Sequence, residues 1–120
     1  MIDQFIATLF LARDVAHREH LRTKSYSQHK ALGHFYEDIA GLADSLTEAY
    51  QGRYGIIDNI PILTESKKYK EPVYCIAEKL QYIERNRYKC IPKEDTALQN
   101  LVDEIVGLFL STIYKLENLK

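Results

Sequence analysis

The chain has no apolar run close to the roughly 20 residues that a membrane-spanning helix requires. It also has no large charge excess, since the formal net charge is −1 at pH 7 and neither end carries a basic run. Its two cysteines, Cys75 and Cys90, form no CxxC or zinc-ligand pattern. These absences predict a cytoplasmic protein with reduced cysteines and no membrane span. Without a basic tail, the chain is not expected to bind DNA.

What remains is a chain long enough for one globular domain covering residues 1–120, with 46% hydrophobic residues to form a core. The opening stretch, MIDQFIATLFLARD, has an apolar patch without a basic lead or a small-residue cleavage site. We therefore expect it to form a helix rather than a signal peptide.

The first half of the chain predicts two helices joined by a short turn. Apolar residues recur with helical spacing over 2–24 and again over 28–51, and no proline interrupts either segment. Ser25 or Ser27 is suited to cap the second helix, because a serine side chain accepts a hydrogen bond from the first free backbone N–H groups. With so short a turn, the two helices must form an antiparallel hairpin.

The second half predicts another helical pair after a long connection. RYGIIDNIPILTESKKYKEP is the least helical stretch, and we expect it to be a crossover that contains a short helical turn. The third helix should begin near Pro72 and stop before Pro92, and the fourth should cover 93–118. The predicted fold is all-α: a ferritin-like antiparallel four-helix bundle with two short turns and one long crossover.

Polar residues on the first two helices suggest a surface that contacts another molecule. Asp44 and Glu48 are spaced i, i+4 and turn away from the apolar stripe of their own helix. Gly33 and Gly41 lie near them, and two glycines inside a helix lower its stability unless something packs closely there. We expect this face to contact a second copy of the chain. On the first helix, His17 is expected near the centre of the apolar stripe.

All four histidines lie between residues 17 and 34, and two of them have the spacing His17-x11-His29. Asp44 follows, Glu48 comes four residues later, and Gly52 is close behind. This pattern resembles the ferroxidase signature of the Dps-type mini-ferritins, the family named for the DNA-binding protein from starved cells. The resemblance covers about residues 4–55, and the rest of the chain agrees only in helix order and length.

The resemblance implies a site shared by two subunits, with two histidines from one and an acidic pair from its two-fold mate. It implies non-haem iron, as a mono-iron or di-iron centre, which is oxidised from Fe(II) by peroxide or oxygen for iron sequestration and protection against oxidants. Zinc is a plausible substitute ion. The implied catalytic and metal-binding residues are His17, His29, Asp44 and Glu48, with His20, His34 and Glu37 as additional metal candidates.

The resemblance also implies a homo-oligomer, which is at least a dimer, and it leaves open whether the chain forms the family's dodecamer. Two positions depart from the family pattern: Arg18 stands where the family has tryptophan, and Gly33 stands where it has an aspartate. These departures motivate an alternative, a ferritin-like structural or interaction protein that keeps the dimer but has lost ferroxidase activity.

Overall fold

The computed structural model describes all residues 1–120 and contains four helices and no strand: α1 (Ile2–Arg22), α2 (Tyr26–Tyr54), α3 (Pro72–Cys90) and α4 (Thr96–Asn118). The all-α prediction is confirmed. None of the four helices combines the length and the apolarity that a membrane span requires.

Capping residues explain where three of the helices begin. The Ser25 side chain accepts a hydrogen bond from the backbone N–H of Gln28 at 3.3 Å, so Ser25 rather than Ser27 caps α2. Asp95 caps α4 through the N–H of Leu98, also at 3.3 Å, and α4 therefore begins after residue 95 rather than at the predicted residue 93. Pro72 occupies the first turn of α3. A proline has no backbone N–H, and in the first turn that N–H would have no partner within the helix.

Contacts at the helix ends establish the connectivity of the bundle. Helix α1 packs against α2 and α3, and α4 packs against the same two helices. The Tyr54 hydroxyl at the end of α2 donates to the Asp95 carboxylate at 2.7 Å, and the Cys90 thiol at the end of α3 donates to the Met1 carbonyl at 3.4 Å. The helices therefore run up, down, down and up, which is the arrangement of bundles with one long crossover.

The crossover, residues 55–71, returns the chain along α1 from the lower end of the bundle to the upper end. Arg18 of α1 fastens it by donating to the carbonyls of Glu65 and Lys67 at 3.2 and 2.8 Å. The expected helical turn is wrong, because no residue of 55–71 is helical. An extended chain covers more than twice the distance per residue of a helix, and the bundle is 43 Å long.

The core is formed by one apolar stripe from each helix, and Phe5, Phe35 and Phe109 are completely buried within it. The Phe35 and Phe109 rings meet edge to face, with centroids 4.9 Å apart, and join α2 to α4. Both cysteines are free, as predicted. Burial raises the pKa of the Cys75 thiol to about 12, so this cysteine is a core residue rather than a reactive one.

Five polar side chains, which we call the crossover cluster, join the crossover to α3. Lys79 is 93% buried, and its Nζ lies 2.8 Å from Glu65 Oε1 and 3.0 Å from Glu78 Oε1. Lys67 Nζ lies 2.9 Å from the other oxygen of Glu78. Tyr69 is buried, and its hydroxyl lies 2.8 Å from the carboxylate of Glu65 and 2.8 Å from that of Glu78. The cluster holds the crossover against the bundle through charge-assisted hydrogen bonds.

These contacts lower the pKa of both carboxyl groups in the cluster. For Glu78 the largest cause is the hydrogen bond from Lys67, and the pKa falls to about 2. For Glu65, burial acts in the opposite direction, but hydrogen bonds from Lys79 and Tyr69 outweigh it and the pKa is lowered. Both groups are therefore more acidic in the folded chain than in the unfolded one.

We expect acid to destabilise the protein through this cluster. A lowered folded-state pKa gives stability that is present above the unfolded value, about 4.3 for glutamate, and is lost as the pH falls through the folded value. Urea denaturation at pH values from about 5 down to about 2 should show the free energy of unfolding falling, and Glu78→Gln should reduce that slope. Equal slopes in the wild type and the variant would show that the cluster does not contribute.

Candidate metal site

The hairpin between α1 and α2 places three of the four histidines side by side. His17 and His20 are one turn apart near the end of α1, and His29 lies in the first turn of α2. Because the two helices are adjacent and antiparallel, residues on either side of the turn face each other. The ring centroids are 6.2 Å apart for His17 and His20, and 3.7 Å apart for His20 and His29.

His20 and His29, which we call the histidine pair, hold each other in place by reciprocal hydrogen bonds. Nδ1 of His20 lies 2.6 Å from the backbone oxygen of His29, and Nδ1 of His29 lies 2.9 Å from the backbone oxygen of His20. A carbonyl only accepts, so each Nδ1 must carry the proton. In the neutral form of each ring, Nε2 is then the nitrogen with the free lone pair, the tautomer commonly selected in metal-binding histidines.

His17 lies at the edge of this group. The prediction that it lies near the centre of the apolar stripe of α1 is therefore wrong. Its side chain is exposed, while the buried stripe of α1 passes through Val15, Ala16 and Glu19. A step of one residue past Ala16 turns the side chain by about 100°, toward α2. There its ring stacks on the half-buried Tyr36 ring, with centroids 4.3 Å apart.

Gly33 contacts its own chain, which corrects the expectation that a second copy packs on this glycine. It is buried, and a Cβ added at this position would lie 3.0 Å from Cε1 and 3.2 Å from Nδ1 of His20. The His20 ring thus fills the space that a side chain at position 33 would need. Gly41 is different: it is exposed, and a Cβ there would have no neighbour within 4 Å.

The predicted acidic ligands lie far from the histidines of the same chain. Asp44 and Glu48 are exposed on α2, as expected from their turn away from the core, and neither forms an ion pair within the chain. At 1.5 Å per residue they stand about 22 and 28 Å from His29 along the helix axis. His34 and Glu37 are also exposed on α2.

A single chain therefore brings together the histidines but not the carboxylates. No three histidine, cysteine, aspartate or glutamate side chains are placed to hold one metal ion. Imidazole nitrogen and carboxylate oxygen are suitable ligands for Fe(II) and Zn(II). The donor types thus fit these ions, but the set can be completed only if another chain supplies the acidic residues.

Two features of this site escaped the sequence-based prediction. The stacking of His17 on Tyr36 depends on how α1 and α2 are rotated against each other, which sequence spacing does not specify. The close approach of His20 to Gly33 is indicated in the sequence by a glycine inside a helix. Gly33 interrupts the otherwise regular pattern of α2, next to the histidines at the end of α1. On its own the glycine predicts a contact between subunits, whereas the structure shows a contact within the chain.

The fold is an all-α four-helix bundle in which three histidines lie together at the turn of the first hairpin. The chain belongs to DUF5856, a family of unknown function, whose model matches residues 20–116. The match includes His20, His29, Gly33, Asp44 and Glu48, while His17 precedes it.

The chain is also similar to a protein of Enterobacteria phage T4, described as an uncharacterized 14.6 kDa protein in the mobD-ri intergenic region. The two are 27% identical over 114 residues, which cover 95% of this chain and 86% of the phage protein. No solved structure matches the chain.

Proposed function

We propose that this protein is a Dps-like, iron-binding homo-oligomer that oxidises Fe(II) at a site shared by two copies of the chain. In this proposal His17 and His29 come from one copy, and Asp44 and Glu48 come from the other. The observation that carries the proposal is the histidine group at the α1–α2 turn, in which His20 and His29 have their Nδ1 atoms bonded and their Nε2 atoms free.

The helix geometry favours a two-fold partner for this purpose. A second copy of α2 lying antiparallel to the first would place Asp44 and Glu48 opposite His29 if the two-fold axis passes near Glu37 and Asp38, midway between them. The same operation creates two equivalent sites, one at each end of the paired helices. The carboxylates of each copy, which are exposed and form no ion pair within their own chain, would then share the positive charge of the bound ion.

In the proposed reaction iron is the substrate. Each ferrous ion loses one electron, and a peroxide molecule accepts two such electrons with two protons and is released as two water molecules. The protein's contribution is to bind ferrous iron through neutral imidazoles and anionic carboxylates and to leave a coordination position open for the oxidant. The carboxylates also stabilise the higher charge of the ferric product.

A second candidate is an interaction protein with the same dimer and no ferroxidase activity. The observation that favours it is Gly33, which offers no carboxylate at a position where the resembled family supplies one. In this candidate the histidine pair only fastens the hairpin, and the exposed face of α2 only joins two copies.

Metal content and native mass separate the two candidates. Protein purified without chelators should be at least dimeric in native mass spectrometry, and aerobic addition of Fe(II), with and without peroxide, should produce ferric absorbance faster than buffer alone. Bound iron and accelerated oxidation would support the ferroxidase. A dimer that binds neither iron nor zinc, and gains no thermal stability from either, would support the interaction protein.

A further inference from the structure

The charged side chains are distributed unevenly along the bundle, although the net charge of the chain is only −1. At its upper end the α1–α2 turn meets the start of α3 and the end of α4, and these parts comprise residues 22–30, 66–74 and 114–120. They contain eight lysine or arginine residues and two glutamates, a formal charge of +6. The rest of the chain therefore carries −7. The fold thus gathers at one end positive charge that the sequence distributes over three distant segments.

Most of the cations at the upper end have no anionic partner within the chain. Arg22 pairs with Glu19 at 2.8 Å, and Lys67 pairs with a glutamate of the crossover cluster at 2.9 Å. The other six, which we call the unpaired lysines, are Lys24, Lys30, Lys68, Lys70, Lys115 and Lys120. The bundle measures only 25 Å by 22 Å across, so these side chains surround one small surface. Such a concentration of positive charge attracts polyanions.

The upper end also exposes three aromatic side chains. Tyr26, Tyr74 and Tyr114 are 74%, 56% and 57% exposed, and each lies on a different helix. The ring of Tyr26 stacks on His29 with centroids 6.3 Å apart, and Nζ of Lys30 lies 5.9 Å from the Tyr26 centroid. A base stacked on such a ring would bring its phosphate toward the neighbouring ammonium group. Proteins that bind single-stranded nucleic acid without reading its sequence combine aromatic rings and cations in this way.

We propose that the upper end of the bundle binds single-stranded nucleic acid, with phosphates contacting the unpaired lysines and bases stacking on the exposed tyrosines. This inference goes beyond the iron chemistry proposed above and does not depend on it. The expectation that the chain does not bind DNA relied on its net charge and on the absence of a basic tail. Neither of these describes how the fold arranges the charges.

Two other polyanions fit this surface less well. In a double helix the bases are stacked on one another, so they offer no free face to a tyrosine. A lipid surface is bound by segments that bury an apolar face at the acyl boundary, whereas the exposed aromatic side chains here all carry a polar hydroxyl. Single-stranded nucleic acid uses both the cations and the rings.

The lower end of the bundle provides a matched control. Tyr88 is 53% exposed there, and Nζ of Lys93 lies 5.5 Å from its ring centroid, so the lower end has a similar tyrosine–lysine pair. This end, residues 1–4, 52–58 and 84–96, contains five lysine or arginine residues and five acidic ones. The pair at the lower end therefore lacks the excess of positive charge that surrounds the pair at the upper end.

Fluorescence anisotropy with labelled oligo-dT of about 20 nucleotides, at about 50 mM salt and in EDTA, measures the binding without any metal. The affinity of the wild type should fall as salt rises, with a log–log slope of about −3 for four or five phosphate contacts. Lys24→Gln with Lys30→Gln should weaken binding about tenfold or more and reduce the slope by about 1.4, the share of two contacts. Lys89→Gln with Lys93→Gln removes the same charge from the lower end and should bind nearly like the wild type.

Substitutions of one tyrosine test base stacking separately from charge. Tyr26→Leu should weaken binding about fivefold or more, because a stacked base loses its aromatic partner. Tyr26→Phe keeps the ring and should retain the wild-type affinity, and Tyr88→Leu at the lower end should have no effect. All the substituted side chains are exposed, and circular-dichroism melting confirms that each variant is folded.

Four results would overturn the proposal. The first is a wild type that does not bind oligo-dT at low salt. The second is equal weakening by the lysine variants of the two ends, which would show that binding is not located at the upper end. The third is binding to vesicles of phosphatidylserine and phosphatidylcholine but not to oligo-dT, which would indicate a membrane surface. The fourth is tighter binding to duplex DNA than to oligo-dT together with no effect of Tyr26→Leu, which would contradict base stacking.

Discussion

His29→Ala and Glu48→Ala should each slow the formation of ferric product by tenfold or more. His29 supplies a nitrogen whose tautomer is set by its bond to the His20 carbonyl. Glu48 supplies an exposed carboxylate that forms no ion pair in its own chain. If both are ligands of one site, removing either opens the coordination sphere and lowers iron affinity together with turnover. The measurement is ferric absorbance after aerobic addition of Fe(II), with the wild type in parallel.

His34→Ala is the matched control for these two variants, because this additional metal candidate makes no ring contact with His17, His20 or His29. His34 lies on α2 between them, is exposed, and has no hydrogen bond within the chain. We expect it to oxidise iron at nearly the wild-type rate and to keep wild-type stability, since surface substitutions away from special features change stability little. If all three variants oxidise iron equally fast, the histidine and carboxylate residues named here are not the site.

Lys79→Ala should lower the free energy of unfolding by about 3 kcal/mol or more, the usual cost of removing one partner from a buried ion pair. The ammonium group of Lys79 lies 2.8 Å from Glu65 and 3.0 Å from Glu78, and the Lys79 side chain is only 7% exposed. Its removal leaves the Glu65 carboxylate, 16% exposed, without its cationic partner. Urea denaturation followed by circular dichroism measures the loss.

Lys67→Ala is the comparison for Lys79→Ala, because Lys67 pairs with the same Glu78 at 2.9 Å but is 59% exposed. Exposed ion pairs contribute about 1 kcal/mol or less, so this variant should remain close to the wild type. We also expect faster proteolysis within residues 55–71 in Lys79→Ala, because the crossover loses its buried attachment to α3. Similar stabilities of the two lysine variants would show that burial does not determine the strength of the cluster.

Much of the fold could be predicted because helical spacing and capping act locally. The apolar stripes, the serine before α2 and the prolines around α3 all specify helices that the structure contains. The extended conformation of the crossover could not be predicted, because it depends on contacts with residues that are distant in sequence. Arg18 holds it from α1, and Lys79 holds it from α3 through Glu65, contacts 47 and 14 residues apart in sequence.

For the candidate site, the sequence predicts which side of a helix each residue lies on, but not which residues of the neighbouring helix it contacts. Exposure of Asp44 and Glu48 follows from counting residues around α2, and the structure agrees. The positions of His17 and His20 follow from the rotation of α1 against α2, which places one ring on Tyr36 and the other on Gly33. Residue spacing gives an angle around one helix but not the neighbour that the side chain meets.

Mixing two inactive variants tests the shared site most directly. A His29→Ala dimer lacks the histidine in both sites, and a Glu48→Ala dimer lacks the carboxylate in both. A mixed dimer has both defects in one site and none in the other. After random exchange of equal amounts, half the dimers are mixed, so about a quarter of the wild-type sites are intact.

We predict that an equimolar mixture, unfolded and refolded together, regains about a quarter of the wild-type rate of ferric-product formation. Each variant treated in the same way alone should keep its own low rate, about a tenth of the wild-type rate or less. A mixture that remains inactive while native mass spectrometry detects the mixed dimers would contradict the claim that two copies of the chain share each site.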